Sequence, residues 1–203
     1  TDIILTSLED KYNRITEDVI ALRGVPALVG TVSNEETDKL SRMLIDRAGA
    51  REITAEELFR MPEVDFDKLI EDIEKEQGSV RYVLKLRSTD AGIAGYEEKV
   101  IKLARLPWVV TYSPIIGRGT DIKILEGLGY GLFVIGTAHH EDSRIDRQLA
   151  GRTGREGLPG DVQFYFSPED GFLTSKEKEE ARAIIEEYSQ DAREEQIKIL
   201  VAK

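Results

Sequence analysis

The sequence predicts an α/β domain: a mostly parallel sheet with helices on both faces, plus a C-terminal amphipathic helix. Three observations carry that reading. Short apolar or β-branched runs alternate with segments of helical spacing along most of the chain. Several of those runs are apolar throughout, as strands covered on both faces are. The 203 residues, 40% hydrophobic and 33% charged, suffice for one sizeable core and are too apolar for a disordered chain.

Each element has its own signal. Leu8, Tyr12, Ile15, Val19 and Ile20 fall at helical spacing after Ser7, with Asp10 three residues on as a weak capping box, and Gly24-Val25-Pro26 ends the helix. Ala27-Leu28-Val29-Gly30-Thr31-Val32 predicts a strand. Ser33-Asn34 then caps a helix whose Leu40, Met43 and Leu44 share a face before Gly49. Residues 54–77 predict one or two acidic helices, opened by Thr54-Ala55-Glu56-Glu57 and carrying Leu69, Ile70 and Ile73 as a narrow apolar stripe. Val80, Tyr82, Leu84 and Leu86 alternate with Arg81, Lys85 and Arg87, which predicts a half-buried strand near a sheet edge. Tyr96 to Leu106 reads as helix. Trp108 to Tyr112 reads as strand, with Trp108 a core residue at its start. Gly131 to Gly136 predicts a buried strand, Ser143 to Arg152 a helix, and Val162 to Phe166 a last strand. After Thr174, Ala181, Ile184, Ile185, Tyr188 and Ala192 line one face of a long amphipathic helix.

Charge narrows the function classes. The formal net charge is −11, and two stretches hold −10 of it: residues 51–78, with ten acids and four bases, and residues 169–203, with ten and six. Residues 79–106 are net positive, with six bases against three acids. An acidic surface repels phosphate backbones and anionic lipid, so nucleic acid is not the expected partner. The absence of cysteine excludes disulfides, thiolate metal sites and thiol nucleophiles, and is compatible with a reducing cytosol. No apolar run is long enough to span a bilayer as a helix, and the N-terminus lacks a signal-peptide pattern. The first residue is Thr1 rather than Met, which suggests a processed or excised chain.

Two segments combine glycine and arginine in ways a packed core does not need. Gly117-Arg118-Gly119-Thr120-Asp121 follows the Trp108–Tyr112 strand, and in α/β sheets ligands bind outside the carboxyl ends of strands. Its glycines admit a ligand close to the backbone, and Arg118, Thr120 and Asp121 can contact a phosphate or a ribose hydroxyl. A tight turn with a surface ion pair accounts for this composition equally well. In Gln148-Leu149-Ala150-Gly151-Arg152-Thr153-Gly154-Arg155 two arginines three apart project to roughly the same side, unobstructed by the glycines between them. Forked guanidinium donors are what stabilise charge on a transferring phosphoryl group, and here the phosphate reading outweighs a pair of helix-capping surface arginines. His139-His140 predicts no metal site, because adjacent histidines point apart and no carboxylate cluster completes a ligand set.

The words around these motifs resemble a family. Val134-Ile135-Gly136-Thr137, His140-Glu141, Arg144-Ile145-Asp146, Gln148-Leu149, Gly151-Arg152, Gly154-Arg155, Gly157, Pro159-Gly160 and Gln163-Phe164-Tyr165, preceded by Gly117 to Ile122, closely resemble the second nucleotide-binding domain of SecA, the preprotein translocase motor ATPase. The Gln-x-x-Gly-Arg-x-Gly-Arg element alone would fit any superfamily 2 helicase. Lys11-Tyr12 through Leu28-Val29-Gly30-Thr31-Val32-Ser33 resembles the helix and first strand that open that domain. The resemblance covers about residues 11–170. The acidic helical stretch near residues 52–78 and Tyr112-Ser113-Pro114-Ile115-Ile116 depart from the family's pattern, which implies a divergent or accessory type.

That resemblance implies a RecA-like fold of the superfamily 2 helicase C-terminal type over residues 1–170, with an acidic insertion near 52–78. Residues 171–203 would be a C-terminal helix leading toward a helical scaffold domain. It implies ATP or ADP with Mg²⁺ held between two domains. Arg155 would be the arginine finger, Arg152 its neighbour in phosphate sensing, Gln148 a polar contact closing the cleft, and Asp121 a ribose or arginine-positioning group. Gly117, Arg118, Gly119 and Thr120 would couple nucleotide state to domain closure. The sequence has no Gly-x-x-x-x-Gly-Lys-Ser/Thr loop and no Asp-Glu-Ala-Asp-like magnesium motif, so the phosphate cradle is expected from a first nucleotide-binding domain of the same longer protein, and the chain alone is expected to be inactive. By resemblance the partners are the Sec translocon and preprotein, and the location is cytoplasmic or peripheral at the inner face of the cell membrane. A helicase C-terminal domain and a non-catalytic interaction module are the alternatives.

Overall fold

Hydroxyl side chains start four of the helices. In the computed structural model, which describes residues 2–22, 24–75, 81–87, 95–114, 132–138, 161–171 and 173–188, Ser7 Oγ accepts from Asp10 N at 3.1 Å and opens helix α1 (Leu8–Ala21). Ser33 Oγ accepts from Glu36 N at 3.1 Å at the start of α2 (Asn34–Ala48), and Thr54 Oγ1 from Glu57 N at 3.1 Å at the start of α3 (Ala55–Arg60). Thr174 and Glu177 form a reciprocal capping box before α6 (Ser175–Tyr188): Thr174 N donates to the Glu177 carboxylate at 2.8 Å, and Glu177 N to Thr174 Oγ1 at 3.3 Å. Helix α2 stops at Gly49, whose φ of 61° is the left-handed turn that glycine adopts without strain. Helices α4 (Glu63–Lys75) and α5 (Tyr96–Ala104) complete the described set.

The strands are β1 (Asp2–Ile4), β2 (Ala27–Thr31), β3 (Arg51–Ile53), β4 (Tyr82–Lys85), β5 (Val109–Pro114), β6 (Phe133–Gly136) and β7 (Val162–Phe166). They form one sheet in the order β1-β7-β6-β2-β5-β4-β3, and every described pairing is parallel. Side-chain alternation sorts the core into two layers. Leu28, Tyr82, Leu84, Val109, Val134 and Phe164 face α3, α4 and α5, whose Leu58, Phe66, Leu69, Ile73, Val100 and Leu103 are buried against them. Ala27, Val29, Val83, Val110, Tyr112, Ile135 and Tyr165 face α1 and α2 and pack on Tyr12, Ile15, Val19, Leu40 and Leu44. The predicted α/β class, a parallel sheet with helices on both faces, is the architecture observed among the described residues.

Several local expectations are corrected. Strand β4 is not half-buried: Tyr82, Val83 and Leu84 are all buried, and β4 lies inside β3, which forms that edge. Its charged neighbour Lys85 is only 11% exposed, because Asp38 and Glu52 lie 3.3 and 3.0 Å from its Nζ and replace solvent. Trp108 precedes β5 rather than starting it. Its φ is +67° and it is only partly buried, packing against Gly24 with the Arg81 guanidinium 5.2 Å from the ring. Strands β1 and β3, three residues each, were not expected. The acidic stretch divides into α3 and α4, and Phe66 widens the narrow stripe of Leu69 and Ile73. The predicted helix at 143–152 and residues 189–203 lie outside the described residues. No described helix is long and apolar enough to cross a membrane.

Candidate functional site

The strand order locates the candidate site. From β2 the chain moves out to the β3 edge, returns through β4 to β5 beside β2, and then crosses β2 to place β6 on its other side. Connections therefore diverge around β2, and the carboxyl edge of β5, β2 and β6 is a topological switch point, the place where open α/β sheets bind ligands. Register brings Thr31 of β2 beside Pro114 of β5, and Gly30 beside Gly136 of β6. Gly117 to Asp121 begin three residues beyond Pro114, and Gln148, Arg152 and Arg155 lie between β6 and β7. All eight of these predicted site residues, like His139 and His140, lie outside the described residues. In sequence both predicted motifs thus follow strands that flank β2.

The described floor of this edge is polar and almost fully buried. Glu36, in the first turn of α2, accepts at Oε2 from Val32 N at 2.8 Å and from Thr137 Oγ1 at 2.6 Å. Thr137 N donates to Gly30 O at 2.9 Å, continuing the β6–β2 ladder by one bond. Thr31 and Thr37 share a hydroxyl hydrogen bond of 2.6 Å beneath it. Lys11, on α1 and fully buried, donates to Thr137 O at 3.0 Å and to Asp170 Oδ1 at 2.5 Å, with Glu36 Oε1 at 3.6 Å. Asp170 Oδ2 accepts from Ser167 N at 2.8 Å, closing the turn after β7.

One ammonium thus sits between two carboxylates in a dry environment. Burial raises the Asp170 carboxyl above the usual range, against the lowering influence of Lys11. Burial, and then the Glu36 carboxylate beside it, pushes the Tyr12 phenol upward. Breaking such a pair from one side typically costs about 3–5 kcal/mol, because the remaining charge is left uncompensated. Sequence reading missed this cluster, although Lys11 shows a signal: it lies one turn from Leu8 and Ile15 on the apolar face of α1, where a lysine needs a buried acceptor.

The same edge does not fit a triphosphate by itself. A helix N-terminus is a natural anion site, but the start of α2 is filled by its own acids. Glu36 takes the Val32 amide, and the Glu35 carboxyl is held below its usual range by its own backbone amide and the Ser33 hydroxyl. A phosphate placed there would meet two carboxylates. Among the described residues there is also no group of three or more His, Asp or Glu side chains suited to a metal ion. The described floor orders the strand ends and, among the described residues, offers no phosphate cradle.

Residues 125–193 match the SecA P-loop domain model, a span that includes Gln148, Arg152 and Arg155 and stops short of Gly117–Asp121. The match supports an ATPase-type, nucleotide-binding domain of RecA-like architecture. Among solved structures the chain is similar to the C-terminal domain of the DEAD-box protein Dbp5, at 16% identity and a TM-score of 0.45 over 94% of this chain and 84% of that one. It is also similar to the C-terminal part of the Fun30 ATPase domain, at 12% identity and a TM-score of 0.41 over 88% of this chain and 54% of that one. Likeness at these values says nothing about activity.

Proposed function

We propose that this chain is the second motor domain of a SecA-like ATPase, supplying an arginine finger and coupling motifs to an ATP site that a first domain completes. The observation that carries the proposal is the match of residues 125–193 to the SecA P-loop domain, with Gln148-x-x-Gly151-Arg152-x-Gly154-Arg155 inside that span and in the connection that leaves β6 at the switch point. The absence of a Gly-x-x-x-x-Gly-Lys-Ser/Thr loop from the sequence, and the carboxylates filling the α2 N-terminus, support a site whose phosphate cradle and Mg²⁺ ligands come from the other domain. In this reading Arg155 meets the γ-phosphate and Arg152 senses it. Gln148 closes the cleft, and Gly117, Arg118, Gly119, Thr120 and Asp121 couple nucleotide state to closure. The coupled work is protein translocation, with the Sec translocon and preprotein as partners.

Arg155→Ala in a protein carrying both domains tests the assignment. Turnover should fall about 10³-fold or more, as removal of an arginine finger does, while nucleotide affinity measured by equilibrium titration is largely retained. Wild-type turnover would overturn it. Stimulation of the intact protein by RNA in place of preprotein would move the function to a helicase.

A further inference from the structure

We propose that Lys11 and Asp170 are positioning residues for the nucleotide step: their buried ion pair fixes the carboxyl end of β6, from which the chain departs toward Gln148, Arg152 and Arg155. This rests on the proposed function for what the positioned segment does. The geometry that fixes the strand end stands on its own.

The carboxyl end of β6 is held from three elements at once. Helix α1 reaches it through Lys11 Nζ, which takes the Thr137 carbonyl at 3.0 Å. Helix α2 reaches it through Glu36, whose Oε2 takes the Thr137 hydroxyl at 2.6 Å. The turn after β7 reaches it indirectly, because Asp170 binds Lys11 at 2.5 Å and is itself held by Ser167 N at 2.8 Å. Thr137 therefore has its amide, carbonyl and hydroxyl all engaged, and it is fully buried. A strand end that needed only to be stable could be covered by apolar side chains, often at equal or lower cost than an ion pair. An ammonium held to one carbonyl and one carboxylate instead sets direction and distance, which is what placing a guanidinium against a reacting phosphate requires, since misplacement of about 1 Å can cost about 10²-fold in rate. The same pair links that end to Asp170, four residues before the Thr174 capping box of α6.

The experiment compares wild type with Lys11→Met and Asp170→Asn by amide hydrogen exchange and by turnover. In this chain, exchange at Thr137 should accelerate at least about tenfold more than exchange at Val29 and Val110 in the neighbouring strands, a local opening distinct from global loss of stability. In the two-domain protein, kcat should fall about tenfold or more with KM within about twofold, the signature of positioning lost in the transition state rather than in binding. Should Lys11→Met fail to fold, Lys11→Arg carries the test: it keeps the charge but cannot place a single ammonium between Thr137 O and Asp170 Oδ1, and the same local acceleration is expected. Exchange that rises equally at all three amides, with turnover reduced only by the unfolded fraction, overturns the proposal. Arg155→Ala run in parallel separates the two readings. If it abolishes turnover while the Lys11 and Asp170 variants retain theirs, the positioning role fails and the proposed function stands. If it leaves turnover intact, the proposed function fails, and the exchange data still decide whether the pair fixes the strand end.

Discussion

Asp170 also sets a pH dependence whose sign differs from that of an ordinary surface carboxylate. Burial raises the folded-state pKa of Asp170 above its ordinary value of 3.8, so between 3.8 and that raised value the folded protein holds a proton that the unfolded chain has already released. The associated stability is complete below 3.8 and is lost as pH rises through the folded value. Asp170→Asn lacks this slope, so the stability advantage of wild type over that variant should shrink as pH rises from 3.8, measured by urea melts at successive pH values. A difference that does not change with pH would contradict the assignment. Asp10 behaves oppositely, because the hydroxyls of Thr6 and Ser7 lower its pKa from 3.8. Its contribution is present above 3.8 and is lost as pH falls. At this scale the sequence was partly legible. A lysine on the apolar face of α1 announces a buried acceptor, but Asp170, 159 positions away, is found only when the sheet brings β6 and β7 together.

At the scale of elements, β6 depends on one glycine. A Cβ added to Gly136 would lie 2.4 Å from Cδ1 and 2.5 Å from Cε1 of Phe164, its register partner on β7, and that ring is buried. Gly136→Ala should therefore destabilise the domain by about 1–3 kcal/mol through overpacking. Pairing it with Phe164→Leu should recover part of the loss in denaturant unfolding; no destabilisation in the single variant would show that the ring yields freely. The helices were legible because their signals are local: Ser7, Ser33, Thr54 and Thr174 each precede a helix, and each accepts the expected backbone amide. Strands β1 and β3 were not legible. Three residues cannot show alternation, and Asp2–Ile4 and Arg51–Ile53 become strands because β7 and β4 offer an open edge. The reading of β4 as half-buried failed for a related reason. Lys85 suggests solvent, whereas Asp38 and Glu52 come from other elements to receive it.

For the whole molecule, the net charge of −11 says little about the ligand, because the acidity is concentrated at residues 51–78 and 169–203. The strand order says more. In sequence, Gly117–Asp121 follow β5 and Gln148–Arg155 follow β6, the two strands that flank β2, whose own carboxyl end leads into a helix start filled by Glu35 and Glu36. The motifs were legible as residues, but that the strands preceding them, β5 and β6, both flank β2 follows only from the parallel pairings of β2 with each. The central claim is that this chain supplies one side of a nucleotide site. The most direct measurement is a thermal-shift titration with ATP and Mg²⁺, on the chain alone and on a protein that also carries the phosphate-binding domain. A complete site at one hundred times its dissociation constant gains about 2.7 kcal/mol, which raises the melting temperature of a domain this size by about 5–10 °C. The prediction is a shift of that order in the two-domain protein and less than about 1 °C in the chain alone. A shift of about 5 °C or more in the chain alone would contradict the claim.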